Sequence, residues 1–333
     1  MTGSGNEMAA MSTAGEGAAF CVAPYLREIG RGKKGARGLT QADAAELMSA
    51  ILTGRVDGVS LGGVLIALRM KGEAPDEIAG FLEALDPLMS RAPARAPAWV
   101  VFPSYNGARS MPNLLPLLAL LLARSGLPVL VHGQESEPAT VVRRRVTSSE
   151  IFKRLGVPAC PTMAAAGERA DAGLPALVEL AIFAPALARL IALRPVLGVR
   201  NVAHSLVKLL RPVEGPSLLV SSYTHPEFGR LHGELFERLR MFAMNLRGTD
   251  GESVVSARRA QAIDLWQDGK CREVVARREV APAETDLPEP DAASTAAWTA
   301  AVLDGRHPVP QALQEQIAAI AAALRGTGAA GAR

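Results

Sequence analysis

Residues 99–133 read WVVFPSYNGARSMPNLLPLLALLLARSGLPVLVHG. An apolar run (Trp99–Phe102) is followed by a polar loop with one glycine (Pro103–Ser110), a leucine-rich segment (Leu114–Ala123) and a second apolar run (Leu127–Val131). This order predicts a strand, a loop, a helix and a parallel strand. The loop after the first strand of such a unit lies beside a helix N-terminus, where phosphate groups commonly bind. The stretch therefore raises the question of whether this loop binds phosphate.

Composition limits the classes of protein that the chain can form. It has 333 residues, 49% of them hydrophobic and 21% charged, with a net charge of +3, which allows two globular domains. No apolar run reaches the ~18 residues of a membrane span. Residues 1–20 lack the basic start and apolar core of a signal peptide, so we expect a disordered tail and a cytoplasmic protein. The separate positions of Cys21, Cys160 and Cys271 predict neither a metal site nor a disulfide.

Three amphipathic segments predict a helical N-terminal domain over residues 21–95. Thr40 is placed to cap the first helix, which ends at Gly54; the second begins at Ser60 and the third at Pro75. The sequence RAPARAPA (Arg91–Ala98) is typical of a linker. We expect part of 157–190 to join this domain in space.

Residues 96–325 predict a larger α/β domain with a mainly parallel sheet, because apolar strands alternate with helical segments. Further strands are expected at Leu218–Val220 and Met241–Leu246, and helices at Pro175–Ile182 and Pro226–Leu239. An acidic, proline-rich linker (Pro282–Asp291) precedes two final helices. Residues 326–333 are expected to be a disordered tail.

The segment LTQADAAELMSAILTGRVDGVSLGGVLIALRMKGEAPDEIAGFLEAL (Leu39–Leu85) resembles the helical N-terminal module of anthranilate phosphoribosyltransferases. The order of the later motifs extends the resemblance over about Ala23–Arg325. It implies a nucleoside phosphorylase/phosphoribosyltransferase-like fold. It also implies a homodimer joined through the helical domains.

Four motifs of the catalytic family are altered here. Its phosphate loop, Gly-Thr-Gly-Gly-Asp, corresponds to Pro103–Gly107, and its Asn-x-Ser-Thr corresponds to Asn113–Pro116. Its Lys-His-Gly-Asn-Arg corresponds to Val131–Glu135, and its magnesium-holding Asp-Glu pair to Asp250–Glu252, where a glycine separates the acids. These changes remove glycines, hydroxyls and cations that grip phosphate. What remains is a relic pocket without a metal or other cofactor, made of Ser104, Asn106, Gly107, Asn113, His132 and Gly133.

This pattern resembles a non-catalytic, nucleic-acid-binding subgroup, the YbiB-type proteins. The resemblance is carried by LREIGRGKKGARGLT, FPSYNGAR, PNLLPLLALLLA and RPVLGVRNVAHSLVKLL. It implies sequence-independent binding of DNA and RNA by a dimer. The alternative is a Mg²⁺-dependent phosphoribosyltransferase that uses phosphoribosyl pyrophosphate. It is favoured by the positions that keep the residues of the catalytic family, namely Asn113, His132–Gly133 and Leu197–Arg200.

A basic segment supplies a second line of inference. No acid lies between Glu179 and Glu214, and after Gly198 the sequence predicts a helix closed by Pro212. On that helix one exposed stripe, here called the basic ridge, would carry Arg200, His204, Lys208 and Arg211. An unmixed cationic stripe favours a polyanion, whereas a plain solvated face is the alternative. Further phosphate contacts are expected from Arg189, Arg194, Lys33 and Lys34.

The remaining basic runs and histidines are compatible with either a binding role or a structural one. The run Arg143–Arg145 is compatible with a phosphate contact or a solvated loop tip, as is the basic loop Gly30–Gly38. His132 is expected to be a packed or hydrogen-bonded relic, and His225 and His232 surface residues. Three Trp, three Tyr and eight Phe provide few stacking platforms, so recognition through the phosphate backbone is expected rather than base stacking.

Overall fold

The computed structural model describes residues 20–32, 34–93, 98–134, 145–280 and 286–328. Lys33, Glu135, Arg143 and Arg144 thus lie outside the described residues. The helices are α1 (Ala23–Ile29), α2 (Gln41–Leu52), α3 (Gly58–Lys71), α4 (Pro75–Leu85), α5 (Leu115–Arg124), α6 (Ser148–Arg154), α7 (Met163–Asp171), α8 (Leu180–Phe183), α9 (Pro185–Ile191), α10 (Arg194–Leu197), α11 (Ala203–Leu206), α12 (Pro226–Arg238), α13 (Ala292–Leu303) and α14 (Gln311–Gly328). The strands are β1 (Trp99–Ser104), β2 (Val129–Gly133), β3 (Ala176–Glu179), β4 (Ser217–Tyr223), β5 (Ala243–Arg247), β6 (Ile263–Gln267) and β7 (Lys270–Val275).

Local capping fixes the helical domain. The hydroxyl of Thr40 accepts the N–H of Asp43 and begins α2, as predicted. Helix α3 begins at Gly58, earlier than the predicted Ser60, because the carboxylate of Asp57 accepts two N–H groups of the first turn. Helices α2 and α4 pack so closely that a Cβ on Gly80 would lie 2.2 Å from the carbonyl oxygen of Gln41.

The described strands form one seven-stranded sheet in the order β3-β2-β1-β4-β5-β6-β7. The first five are parallel, whereas β6 and β7 pair antiparallel to their neighbours. This confirms the predicted fold class of a helical domain with a mainly parallel α/β domain. The strand order reverses between β1 and β4, which places the crevice of the sheet at the carboxyl ends of these two strands.

Two sheet elements differ from the sequence prediction. The predicted helix Pro175–Ile182 is β3 followed by the short α8, because the buried segment Ala176–Glu179 pairs with β2. The β6–β7 hairpin was not predicted. Its turn, Asp268–Gly269, has positive φ at both residues (52° and 77°), which is the two-residue turn that favours a hairpin.

Two cores lie on opposite faces of the sheet. Trp99 and Val101 of β1 belong to the core that holds the helical domain, and buried side chains of 157–190 such as Phe183 and Leu187 belong to the same cluster. Val100 and Phe102 point into the second core, which includes α5 and α14. Successive side chains of β1 thus alternate between the two cores, so that this strand contributes to both.

Residues 1–19 and 329–333 of the two predicted tails lie outside the described residues, and the residues next to them are ordered elements. Phe20, predicted to lie in the N-terminal tail, stacks on Tyr25 with ring centroids 5.4 Å apart. Helix α14 continues to Gly328, so residues 326–328 are helical rather than part of a tail. None of the helices in the described ranges is long and apolar enough to cross a membrane.

Candidate functional site

The loop after β1 presents backbone N–H groups of Asn106, Gly107, Arg109 and Ser110, here called the anion cradle. The carboxylate of Glu252 fills one half of it. Its Oε1 accepts the N–H of Asn106 (2.9 Å) and of Gly107 (2.7 Å), and Ser104 Oγ donates to its Oε2. Glu252 is completely buried. The protein's own carboxylate therefore lies where such a loop would otherwise hold a phosphate.

Asp250 fills the other half. Its Oδ2 accepts the N–H groups of Arg109 and Ser110, both at 2.9 Å, and the hydroxyl of Ser110 donates to the same carboxylate. The glycine between the two acids is required by the turn: Gly251 has φ of +94°, and a Cβ there would lie 1.8 Å from Asn106 Nδ2. This turn directs the two carboxylates to different pairs of donors.

The pKa values of the two carboxyl groups are shifted in opposite directions. Burial raises the pKa of Glu252, although hydrogen bonds from Ser104 and Gly107 and the charge of Lys208 oppose it. Burial also acts to raise the pKa of Asp250, but hydrogen bonds from Arg109 and Ser110 outweigh it and lower that pKa overall. Both groups are therefore held by protein donors.

The magnesium ion that the family resemblance implies does not fit these residues. Both oxygens of Glu252 and both of Asp250 accept hydrogen bonds from the protein. Across the described ranges, no three His, Cys, Asp or Glu residues cluster as metal ligands. The pair consequently does not offer the free carboxylate oxygens that Mg²⁺ requires.

The remaining relic-pocket residues have structural roles. Asn113 lies two residues before α5, where its Oδ1 accepts the N–H of Leu115 and its amide donates to Ser148 Oγ at 3.1 Å. A Cβ on Gly133 would lie 2.6 Å from the carbonyl oxygen of Ser104, so close strand packing requires glycine there. Of the predicted relic-pocket residues, Asn106 alone lines the cleft described below.

His132 is a packed, hydrogen-bonded residue, as predicted. Its Nδ1 lies 2.8 Å from the hydroxyl of Tyr105, and its Nε2 lies 3.1 Å from the carbonyl oxygen of Leu210. Burial lowers the pKa of His132 to about 3. The imidazole is therefore neutral at pH 7, and its ring nitrogens are engaged within the protein.

A cavity of about 390 Å³, here called the interdomain cleft, lies between the helical domain and the carboxyl ends of β1 and β4. Arg69, Glu73 and Ile78 line it from the helical side. Among the described residues, its charged lining consists of five basic residues and two acids, namely Arg69, Arg109, Arg145, Arg200, Lys208, Glu73 and Asp250. The cleft is thus strongly cationic.

Two arginines of the cleft lining donate hydrogen bonds to the cradle loop. Arg145 donates to the carbonyl oxygen of Gly107 at 2.9 Å, and Arg200 donates to Asn106 Oδ1 at 3.1 Å. Burial, followed by the charge of Arg109, lowers the pKa of Arg145, and Arg194 acts in the same direction. The motif changes predicted a loss of cations at this site. That prediction concerns positions 131 and 135 and stays a prediction, whereas the arginines that line the cleft come from other segments.

The basic ridge does not exist as a continuous exposed helix. The segment forms the short α11, ending at Leu206, followed by a 3₁₀ turn at Val207–Leu209. Its apolar residues are buried on several sides, which leaves no exposed helical face. Lys208 is drawn inward, where its Nζ donates to the carbonyl oxygens of Ser222 (3.3 Å) and Gly251 (3.2 Å). Burial lowers its pKa to about 8.

The other predicted basic residues are dispersed. Arg211 lines a different groove beside Asp86, and Arg189 donates to the carbonyl oxygen of Leu52. Arg194 lies close enough to lower the pKa of Arg145 and His204 without lining the cleft. Lys34 is exposed in the turn after α1 and does not line the cleft.

The histidines differ from the predicted pattern. His204 lines the cleft, but burial, followed by the charge of Arg200, lowers its pKa to about 3, so it carries no positive charge at pH 7. Its Nε2 is buried without a hydrogen-bond partner among the described residues. His232 is 3% exposed, so its predicted surface position is wrong, and burial lowers its pKa to about 4. His225 is exposed, as predicted.

The sequence did not predict that three arginines of the cleft would lie near one another. Arg69 lies on α3, Arg109 follows β1, and Arg145 precedes α6. Their distance in sequence hides their proximity. The run at 143–145 gave a signal for Arg145, but it did not distinguish the cleft from a solvated loop tip.

Residues 23–86 match the family model described as the glycosyl transferase family, helical bundle domain. The uncharacterized protein YbiB of Escherichia coli is 38% identical over 298 residues, which are 88% of this chain and 91% of that protein. The chain belongs to the anthranilate phosphoribosyltransferase-like family.

More distant relatives of the family show the same scaffold. Anthranilate phosphoribosyltransferase of Thermus thermophilus is 28% identical over 221 residues, covering 65% of this chain and 64% of the enzyme. A crystal structure of the enzyme from that species matches with a TM-score of 0.63 at 24% identity, over 85% of this chain and 83% of that one. The Saccharomyces cerevisiae enzyme in complex with phosphoribosyl pyrophosphate and magnesium matches with a TM-score of 0.64 at 14% identity, over 91% and 88%.

Proposed function

We propose that this chain is a non-catalytic, sequence-independent nucleic-acid-binding protein that contacts the phosphate backbone of DNA and RNA as a homodimer. The cation cluster of the interdomain cleft carries this proposal. Arg109, Arg145 and Arg200 line the same cleft, and the charge of Arg109 lowers the pKa of Arg145 although Asp250 and Glu252 act in the opposite direction. A phosphate placed between these guanidinium groups would be attracted by all three.

The closed cradle supports a binding role over a catalytic one. A pyrophosphate would have to displace Glu252 from Asn106 and Gly107 and Asp250 from Arg109 and Ser110. Each displaced carboxylate would lose charge-assisted hydrogen bonds. Phosphates of a nucleic acid can instead reach the arginines of the cleft without opening the cradle.

Phosphoribosyl transfer is the second candidate, and it rests on family membership and on the kept Leu197–Arg200. Calorimetry with phosphoribosyl pyrophosphate and magnesium separates the two. We expect no heat of specific binding. Saturable binding of that pair would contradict the non-catalytic proposal.

We expect the double variant Arg69→Glu/Arg109→Glu to bind nucleic acid roughly 10- to 100-fold more weakly for every sequence tested. Both side chains are exposed at the cleft, and each charge reversal removes a phosphate contact. The slope of log affinity against log salt should fall by about 2. Fluorescence anisotropy over a salt series measures both quantities.

The matched control is Arg240→Glu/Arg306→Glu, which makes the same change in net charge. These side chains are 71% and 66% exposed and lie outside the cleft lining. Equal losses in the two double variants would show that net charge alone governs binding. Such a result would contradict the assignment of the cleft.

The homodimer part of the proposal is supported by an apolar stripe on α3. Val59, Ile66 and Met70 recur at helical spacing and are 89%, 37% and 80% exposed. Exposed apolar stripes on one helix suit a self-complementary two-fold interface.

We therefore expect Met70→Glu to shift the protein from a dimer to a monomer in light scattering coupled to size exclusion. Leu174→Glu, at a side chain 51% exposed outside this stripe, should leave the mass unchanged. A monomeric wild type, or a dimer that survives Met70→Glu, would contradict the proposed interface.

A further inference from the structure

We propose that the interdomain cleft receives the terminal nucleotide of a single strand, with its phosphate on the arginines and its base on an apolar wall. This inference rests on the proposed nucleic-acid binding and deepens it. It names the part of the nucleic acid that enters the protein.

The size of the cleft sets the first condition. Its volume of about 390 Å³ lies in the range of pockets that enclose one small molecule. A paired base within a duplex would have to be unstacked and turned out of the helix to enter, at a cost of a few kcal/mol. A strand end has one free side and pays least for this movement.

The two walls of the cleft match the two parts of a nucleotide. Arg145 and Arg200 are half-buried and hold the cradle side through bonds to Gly107 and Asn106. Phe228 and Leu231, both half-buried, line the cleft with apolar surface. Phosphate binds best to partly desolvated guanidinium groups, whereas a base binds to apolar and aromatic surface.

Tyr223 adds a fixed aromatic group at the end of β4. Its ring lies directly on α12, because a Cβ on Gly229 would lie 3.0 Å from the ring carbons. A side chain larger than hydrogen at position 229 would push this ring away from the helix. Gly229 therefore leaves room for this ring against α12, and Tyr223 lines both the cleft and a neighbouring groove that Gly229 also lines.

The exposed arginines give the strand a route away from the cleft. Arg69 belongs to the helical domain and Arg109 to the α/β domain, and both side chains are exposed. A strand whose last nucleotide is buried can pass its following phosphates between them. Of the two acids in the lining, Asp250 is engaged by N–H groups of the cradle, and Glu73 lies near the charge of Arg69.

The test compares a linear, 5′-phosphorylated single-stranded DNA with a circular single strand of the same length and composition. We expect the circle to bind about tenfold more weakly, because it cannot supply an end to the cleft. Thymidine 5′-monophosphate should compete for the cleft and lower the apparent affinity for the linear strand to that for the circle. Thymidine without the phosphate should not do so at the same concentration.

Phe228→Ala should abolish the tenfold preference for the linear strand over the circle. Phe228→Tyr, which keeps an aromatic ring, should retain the preference for the linear strand, and thermal melting checks that both variants fold. If the wild type bound the linear strand and the circle with equal affinity, and both affinities fell with salt, the end-binding inference alone would be overturned. Binding of neither would overturn the proposed function itself.

Discussion

Replacing Glu252 with alanine is expected to lower the free energy of unfolding by about 3 kcal/mol. The substitution leaves the buried N–H groups of Asn106 and Gly107 and the hydroxyl of Ser104 without their acceptor. It also removes a carboxylate whose charge favours the protonated form of Lys208. Urea unfolding measures the loss, and Glu214→Ala, at an exposed side chain, should cost less than about 0.5 kcal/mol.

The same variant tests whether Glu252 occupies an anion site. Without its carboxylate, the cradle exposes donors that suit phosphate. Inorganic phosphate should therefore raise the melting temperature of Glu252→Ala more than that of the wild type or of Glu214→Ala. Equal responses in all three proteins would show that the cradle no longer has an anion-binding geometry.

Acidification from pH 7 to pH 5 is expected to lower the free energy of unfolding by about 4 kcal/mol through His132 and His232 together. Burial lowers their pKa values to about 3 and about 4, from 6.5 in the unfolded chain. Between the folded and unfolded pKa values the unfolded state binds more protons, so stability falls as the pH falls through this window. Each residue accounts for about 2 kcal/mol at pH 5.

A histidine variant isolates this effect from the titration of carboxylates. His232→Asn should be less stable than the wild type at pH 7 but lose less stability on going to pH 5. His225→Asn, at an exposed position, should keep the wild-type pH dependence. An identical pH dependence for His232→Asn and the wild type would contradict a neutral buried imidazole at position 232.

Local sequence signals predicted much of the fold. Thr40 and Pro75 mark helix starts that the structure confirms, and the apolar runs around β1 and β2 predict their parallel pairing. The signal failed where burial overrides periodicity. Residues 176–179 are strand because they pair with β2, and the segment around Lys208 is broken because its apolar residues are buried on more than one side.

The candidate site was less predictable because its parts are distant in sequence. The sequence indicated that the Asp-Glu adjacency was broken, but only the fold shows that Glu252 turns into the cradle. It likewise indicated lost cations in one motif and could not show Arg69, Arg109 and Arg145 meeting around one cleft. Contacts between segments far apart in the chain have no local pattern.

The loop that carries Glu252 is itself held by α14. Gln316 on that helix is completely buried; its Oε1 accepts the N–H of Val255 at 2.9 Å and its Nε2 donates to the carbonyl oxygen of Ser253 at 3.1 Å. On the ribosome, residues 104–110 are made long before Gln316. The two carboxylates that fill the cradle are also made before Gln316, so the contact that holds their loop to α14 forms only after that helix has been made.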